Sequence, residues 1–240
     1  MMSKAILLLL LFSLSPGSPP SDKIAQPESS TLERELASNS LNKAKLKSRE
    51  AAVRVEEVWG TGYGSGAYFK HGKLHFVITA HHVVPSGGPV LVISPTGEAV
   101  PGMVVFRSPD ADIAVIAISG MQTRKPMPFK PLKRPVQPGE EVVYSGHPGH
   151  HLLTQTFTGT VTGYEVRHGR YVLVNSYIWF GSSGSCLFDK RGNLVGIVSA
   201  IEVQSFATRQ ALPGLAWVKS ITDVDTDKIL LAVEQGGPKR

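Results

Sequence analysis

The sequence predicts an all-β chain made of two six-stranded antiparallel β-barrels, followed by a C-terminal helix. Three observations carry this. Glycine (24) and proline (17) are plentiful in 240 residues, so turns are frequent and elements are short. Short β-rich runs recur in two successive sets of about six, the spacing expected of barrels rather than of helical layers. Between the sets, residues 121–134 hold Pro126, Pro128 and Pro131 among Arg124, Lys125, Lys130, Lys133 and Arg134, which marks a linker.

Taken in order, residues 5–14 are a nearly unbroken apolar run behind the single positive charge of Lys4. That run is shorter than the roughly 20 residues that span a bilayer, so residues 1–20 read as a signal peptide or an N-terminal anchor. The expected location is therefore exported, secreted or periplasmic, or membrane-attached through an uncleaved leader. Residues 21–50 are polar and lack aromatics; Ser30-Thr31-Leu32-Glu33 has the form of a capping box, and Leu32, Leu41 and Leu46 offer a thin apolar face. One or two helices in a spacer without chemistry are expected there.

Residues 51–120 form the first strand set: 51–55, 66–69, 74–79, 89–94, 100–106 and 112–118. Residues 135–240 carry the second, with runs at 140–145, 156–164, 171–179, 185–188, 194–200 and 215–221. After Asp223, Asp225 and Asp227, the residues Ile229, Leu230 and Val233 fall at helical spacing until Gly236-Gly237. This amphipathic helix is expected to dock on the second barrel.

Composition excludes several classes. Hydrophobic residues at 42% and charged residues at 18% are ordinary for a folded domain and exclude wholesale disorder. The net charge of +6 gathers in the N-terminal arm, the linker and the last two residues, with no aromatic-interleaved basic motif, so no nucleic-acid partner is expected. Cys186 is the only cysteine, which excludes an intrachain disulfide.

The chemistry centres on Gly181-Ser182-Ser183-Gly184-Ser185-Cys186-Leu187. Glycines before and after Ser183 let the backbone approach a substrate carbonyl, but a serine hydroxyl is unreactive near neutrality without a base. Imidazole titrates in the working range, and His81-His82 follow an apolar strand. An acid is then needed to orient the imidazole, and Asp112 opens another apolar strand, with Asp110 nearby. Each residue alone reads as a turn or a strand end; the ordered set reads as a nucleophile with its base and acid. His147, His150 and His151 lack a fourth ligand and lie in a glycine-proline loop, so they are read as exposed, with no metal and no cofactor.

Thr79-Ala80-His81-His82-Val83-Val84, Asp112-Ile113-Ala114-Val115 and Gly181-Ser182-Ser183-Gly184 together resemble the chymotrypsin-fold serine proteases, closest to the HtrA-like and viral trypsin-like branch. Gly64-Ser65-Gly66-Ala67 resembles that family's first hairpin, residues 136–148 the opening of its second barrel, and Leu194-Val195-Gly196-Ile197 the strand after its serine. The resemblance runs from residue 51 to 235 and implies a serine endopeptidase acting on polypeptides, with no appended PDZ domain after Gln235. It implies His82 as base, Asp112 as its orienting acid and Ser183 as nucleophile, with the N–H groups of Gly181 and Ser183 as the oxyanion hole. His81 and Asp110 remain alternatives for base and acid.

By the same resemblance Tyr177 is the base of the primary pocket, and Ser199, Ala200 and Ile201 line its wall. No acid is placed there to receive Lys or Arg, so a small or medium apolar residue is the expected preference. Ser185 and Cys186 depart from the family's usual residues, and Ser182 replaces the acid that pairs with a new N-terminus in zymogen-activated relatives, so activation by N-terminal cleavage is not expected. Two other functions stay open: a non-catalytic binding or assembly module on the same fold, and a cysteine protease using Cys186. The sequence leaves the oligomeric state open.

Overall fold

The computed structural model describes residues 40–60, 62–151, 153–166, 170–204 and 210–237. The expected leader and the capping box at Ser30 to Glu33 lie outside the described residues.

The first barrel comprises β1 (Ala52–Glu57), β2 (Tyr63–His71), β3 (Leu74–Thr79), β4 (Pro89–Ile93), β5 (Ala99–Ser108) and β6 (Ile113–Ile118). Its order is β1-β4-β5-β6-β3-β2, and it closes where β1 pairs with β2, all in antiparallel register. In β4 only Val90 and Val92 turn inward, the alternation of a strand with one wet face. β6 is buried at all six positions, because both of its faces are covered.

The linker does not hang free. Its short β7 (Met127–Pro128) joins β2 in parallel, and farther on Leu194 and Lys130 to Leu132 exchange backbone hydrogen bonds of 2.7 and 2.8 Å. The second barrel comprises β8 (Glu141–Gly146), β9 (Gln155–Glu165), β10 (Tyr171–Asn175), β11 (Cys186–Asp189), β12 (Leu194–Gln204) and β13 (Gln210–Ser220). Its closed order is β10-β13-β12-β11-β8-β9. The run expected as a strand over 171–179 ends at Asn175. Ser176 turns its hydroxyl onto the Thr158 carbonyl at 2.9 Å, and the chain leaves the sheet.

Val142, Tyr144, Val161, Leu187 and Val198 fill the second barrel. The first barrel's core is not confined to the first barrel. Val143, Cys186, Phe188, Leu194 and Ile197, on the other side of their strands, join it, and the Phe188 ring lies 6.0 Å from that of Phe69. The two barrels therefore share one continuous apolar contact.

Two helices complete the body, and the first of them bridges the barrels. Helix α1 (Ser40–Ala51) packs on β8, β9 and β11 of the second barrel and reaches β2 and β7, so this part of the expected spacer belongs to the body. Its inward face is Ala44, Ser48 and Ala51, and the Ser48 hydroxyl donates to that of Ser145 at 3.0 Å. Leu46, expected on the apolar face, is exposed, because only small side chains fit this close approach. Helix α2 (Thr226–Gly236) begins at Asp225, whose carboxylate accepts the N–H groups of Asp227 and Lys228. It packs on β3, β5 and β6, burying Ile229 and Val233 in the first barrel's core. The expectation that it docks on the second barrel is thus corrected. The outer face of β6 is apolar as well as its inner face, and α2 is what covers it.

Candidate active site

Two glycines shape the turn around Ser183. Gly181 and Gly184 have φ of 91° and 87°, a region that disfavours side chains. A Cβ would also stand 2.6 Å from the His147 carbonyl at Gly181, and 2.1 Å from the Ser65 carbonyl at Gly184. The turn is fastened to the first barrel by Ser65 on β2. Its hydroxyl donates to Gly181 O at 2.7 Å and accepts the His147 N–H at 2.9 Å, and its N–H donates to Ser183 O at 2.7 Å.

Peptide planarity then sets the direction of the remaining donors. The Phe180 carbonyl accepts from Gly149 N–H at 2.7 Å and the Ser182 carbonyl from Ser185 N–H at 2.9 Å. In a trans peptide the N–H points away from its own carbonyl, so those of Gly181 and Ser183 point to the other side of the turn. Neither has a hydrogen-bond acceptor among the described residues, whereas Ser182 N–H is taken by Trp179 O and Gly184 N–H by Val198 O. Two donors separated by one residue are thus left without acceptors on one side of the turn.

His82 lies on a short 3-10 turn (His81–Val83) directly after β3. Its Nδ1 lies 2.8 Å from Asp112 Oδ2, and its backbone N–H donates to Oδ1 at 3.0 Å. The Ser199 hydroxyl donates to the same Oδ2 at 2.5 Å. Burial pushes the Asp112 carboxyl up, but the hydrogen bonds from His82 and Ser199 outweigh it and hold the carboxyl below the usual carboxylate range. With Nδ1–H committed to Asp112, the other ring nitrogen of His82 is left as a base. Val198, which precedes Ser199, exchanges hydrogen bonds with Gly184 and Ser185, so one stretch of β12 anchors both the serine turn and the acid. Among the described residues no hydrogen bond joins the Ser183 hydroxyl to His82; contacts of this kind commonly tighten only around bound substrate.

The remaining sequence candidates fall as follows. Ser199 binds the carboxylate, a role its expected place on a pocket wall did not include. Tyr177 is 47% exposed, with its ring against Phe157 at 5.3 Å and its carbonyl accepting the Tyr144 hydroxyl. Ala200 is exposed and Ile201 packs on the second core. The described cavity that includes Ser199, about 700 Å³, is lined also by His82, Asp112, Asp110, Tyr171 and Lys219, and not by Tyr177, Ala200 or Ile201. His81 donates its backbone N–H to Asp112 O, and Asp110 is exposed at the cavity rim.

Cys186 is 1% exposed, its thiol directed to the Ile78 carbonyl at 3.6 Å and pushed up by burial, the condition of a core filler. His147, expected in an exposed loop, is fully buried: its backbone braces Gly181 and Ser65, which draws the loop inward. His151 is exposed. Ser65 was missed as a positioning residue because a serine in a Gly-Ser-Gly run has no signal of its own; only its contacts distinguish it.

The sequence over residues 64–197 matches the trypsin-like peptidase domain family. Bos taurus "Serine protease HTRA2, mitochondrial" is 32% identical over 133 residues, which is 50% of this chain and 28% of that protein. The chain thus spans well under half the length of this curated relative. Among solved structures, the serine endoprotease from Yersinia pestis superposes with a TM-score of 0.61 at 20% identity, covering 82% of this chain and 68% of that one. An HtrA-type protease with a tripeptide gives a TM-score of 0.63 at 19% identity, over 80% of this chain and 62% of that one. These two likenesses are of fold.

Proposed function

Because this chain belongs to the trypsin-like peptidase family, we propose that it is a serine endopeptidase in which Ser183 attacks the scissile carbonyl of a polypeptide, His82 is the base and Asp112 holds His82. The observation that carries this reading is the serine turn, whose alternate N–H groups at Gly181 and Ser183 are left without acceptors among the described residues, and which shares the Val198-Ser199 stretch of β12 with the His82–Asp112 pair.

In this mechanism His82 takes the Ser183 proton as the oxygen bonds to the carbonyl carbon. The negative charge then developing on the carbonyl oxygen falls to the two free N–H groups; removing one such donor raises a barrier by about 3 kcal/mol. Asp112 stabilises the imidazolium, which passes its proton to the leaving amine, and an acyl-enzyme remains. Water activated by the same imidazole releases the acid and restores Ser183. The residue accepted before the scissile bond is a small or medium apolar one, a preference that rests on the resemblance, which puts Tyr177 rather than an acid at the base of the primary pocket. Export or membrane attachment through residues 1–20 belongs to the same proposal and rests on the sequence of that leader; among the described residues, no helix is long and apolar enough to cross a membrane.

A fluorophosphonate probe tests the central claim. The expected adduct is on Ser183 and is lost in His82→Ala. Folded protein that takes no label would make this a binding or assembly module, and thiol-selective inhibition abolished by Cys186→Ser would move the nucleophile to Cys186. In a peptide panel, cleavage faster after Arg than after Val or Ala overturns the stated preference.

A further inference from the structure

The cavity beside the His82–Asp112 pair contains one Lys or Arg side chain, that of Lys219. Along β13, Val218 turns into the second barrel's core, so Lys219 turns outward, yet it is only 4% exposed. The reason is local. Its Nζ lies 4.0 Å from the centre of the Tyr171 ring, and that ring is itself braced edge-on by Trp217 at 5.3 Å. Among the described residues Nζ has this ring as a partner but no hydrogen bond and no ion pair within 4.0 Å. The small exposed part of the side chain includes this ammonium, which is not among the buried unpartnered nitrogens, so the charge reaches the cavity with a ring face as its partner and no counter-charge.

The other charged groups of the cavity do not meet the need. Both oxygens of Asp112 are already engaged, by the backbone and ring of His82 and by Ser199. Asp110 is exposed at the rim and, among the described residues, forms no ion pair with Nζ within 4.0 Å. The positive end of Lys219 thus faces open space next to the reacting groups.

Resting on the peptidase reading above, we infer that this cavity is a carboxylate subsite in which Lys219 receives an acidic side chain of the bound polypeptide, within about three residues of the scissile bond. The reach follows from an extended chain advancing roughly 3.3 Å per residue past a cavity of this size. Asp and Glu are the side chains of a polypeptide that bring such a charge, and the Tyr171 ring face holds the lysine ammonium in place to meet it. Asp110 at the rim weakens the attraction without cancelling it, since its own charge is solvated.

The test uses capped peptides, acetylated and amidated so that the side chain is the sole carboxylate, differing only by Glu or Gln at one position within three residues of the cut. The wild type is expected to favour Glu over Gln at one of these positions by about tenfold in kcat/KM. In Lys219→Met, which removes the charge from a side chain of similar length, that ratio falls to about one; in Lys219→Arg it persists, and in Asp110→Asn it rises. A ratio near one at every position in the wild type, or one untouched by Lys219→Met in protein whose circular dichroism matches the parent, overturns the inference. Binding of the same labelled peptides to Ser183→Ala, read by fluorescence anisotropy, separates the two claims. A wild type that cleaves no peptide refutes the peptidase reading, while the subsite then stands or falls on whether Ser183→Ala binds Glu more tightly than Gln and loses the difference on adding Lys219→Met. Should Lys219→Met fail to fold, the Lys219→Arg and Asp110→Asn ratios decide, and a fall in either counts against the subsite.

Discussion

Asp112 has φ of 47°, a conformation that few residues with side chains adopt and that costs on the order of 1 kcal/mol or more. It is held there from both ends: its N–H donates to Pro109 O at 3.0 Å and its carbonyl accepts from His81 at 3.1 Å. The strain aims the carboxylate at His82 and Ser199. Because the folded carboxyl lies below its unfolded value, the ionised group stabilises the fold at neutral pH, and that contribution is lost as pH falls below the ordinary carboxylate value of about 3.9 and through the folded one. Asp112→Asn is expected to lower kcat by about 10⁴. Its deficit in Tm against the wild type should shrink between pH 7 and pH 3, and a deficit constant across that range would argue against the ionised pair. A second residue-scale test concerns Ser185, where the sequence departs from its family. Gly146 makes the room: a Cβ there would stand 2.1 Å from Ser185 Oγ. Gly146→Ala is expected to cost about 1–3 kcal/mol in urea unfolding, with part of the loss recovered on adding Ser185→Gly. At this scale the sequence singled out His82 and Asp112, which the fold pairs at 2.8 Å, and Ser183, which it sets in a turn between two positive-φ glycines. Ser65, the carboxylate contact of Ser199, and Lys219 were not legible, because what sets them apart is a partner distant in sequence.

Among the elements, strands were read more faithfully than helices. Alternation and turn residues mark a strand locally, and the run over 74–79 coincides with β3. The overextension of β10 has a local cause that periodicity does not report, the side chain of Ser176 taking a carbonyl from the neighbouring strand. Helix α1 was misjudged because its buried face is Ala44, Ser48 and Ala51, small residues that a search for large apolar side chains passes over. Helix α2 was recognised but assigned to the wrong barrel. Its spacing shows that Ile229 and Val233 share a face, and says nothing of what they meet. Ile229 is fully buried, so Ile229→Ala is expected to cost about 2–5 kcal/mol. The loss should appear as a lower midpoint in denaturant and, because the helix lies on β3, β5 and β6, as faster hydrogen exchange in the first barrel. Exchange accelerated in the second barrel alone would contradict the packing described.

For the molecule as a whole, two barrels were legible from two sets of strand runs split by a proline-rich stretch. Their shared core was not. The same strands present one face to their own barrel and the other to the neighbour, as Val142 and Val143 do on β8, and a sequence gives no partner for the outer face. A core that passes through both barrels predicts one cooperative unfolding transition. Calorimetric and van't Hoff enthalpies are expected to agree, and two resolved transitions would show that the barrels are stable apart.

The arms are exchanged between the barrels. Helix α1 precedes the first barrel in sequence and rests on the second, whereas α2 follows the second and rests on the first. A single cut in the linker near residue 124 would therefore leave two fragments, each clasping the other by its outer arm and by the apolar face between them. Such a nicked chain should migrate as one particle under native conditions, and two fragments produced separately should reassemble on mixing. The covalent joint between the two halves is thus predicted to be dispensable once folding is complete.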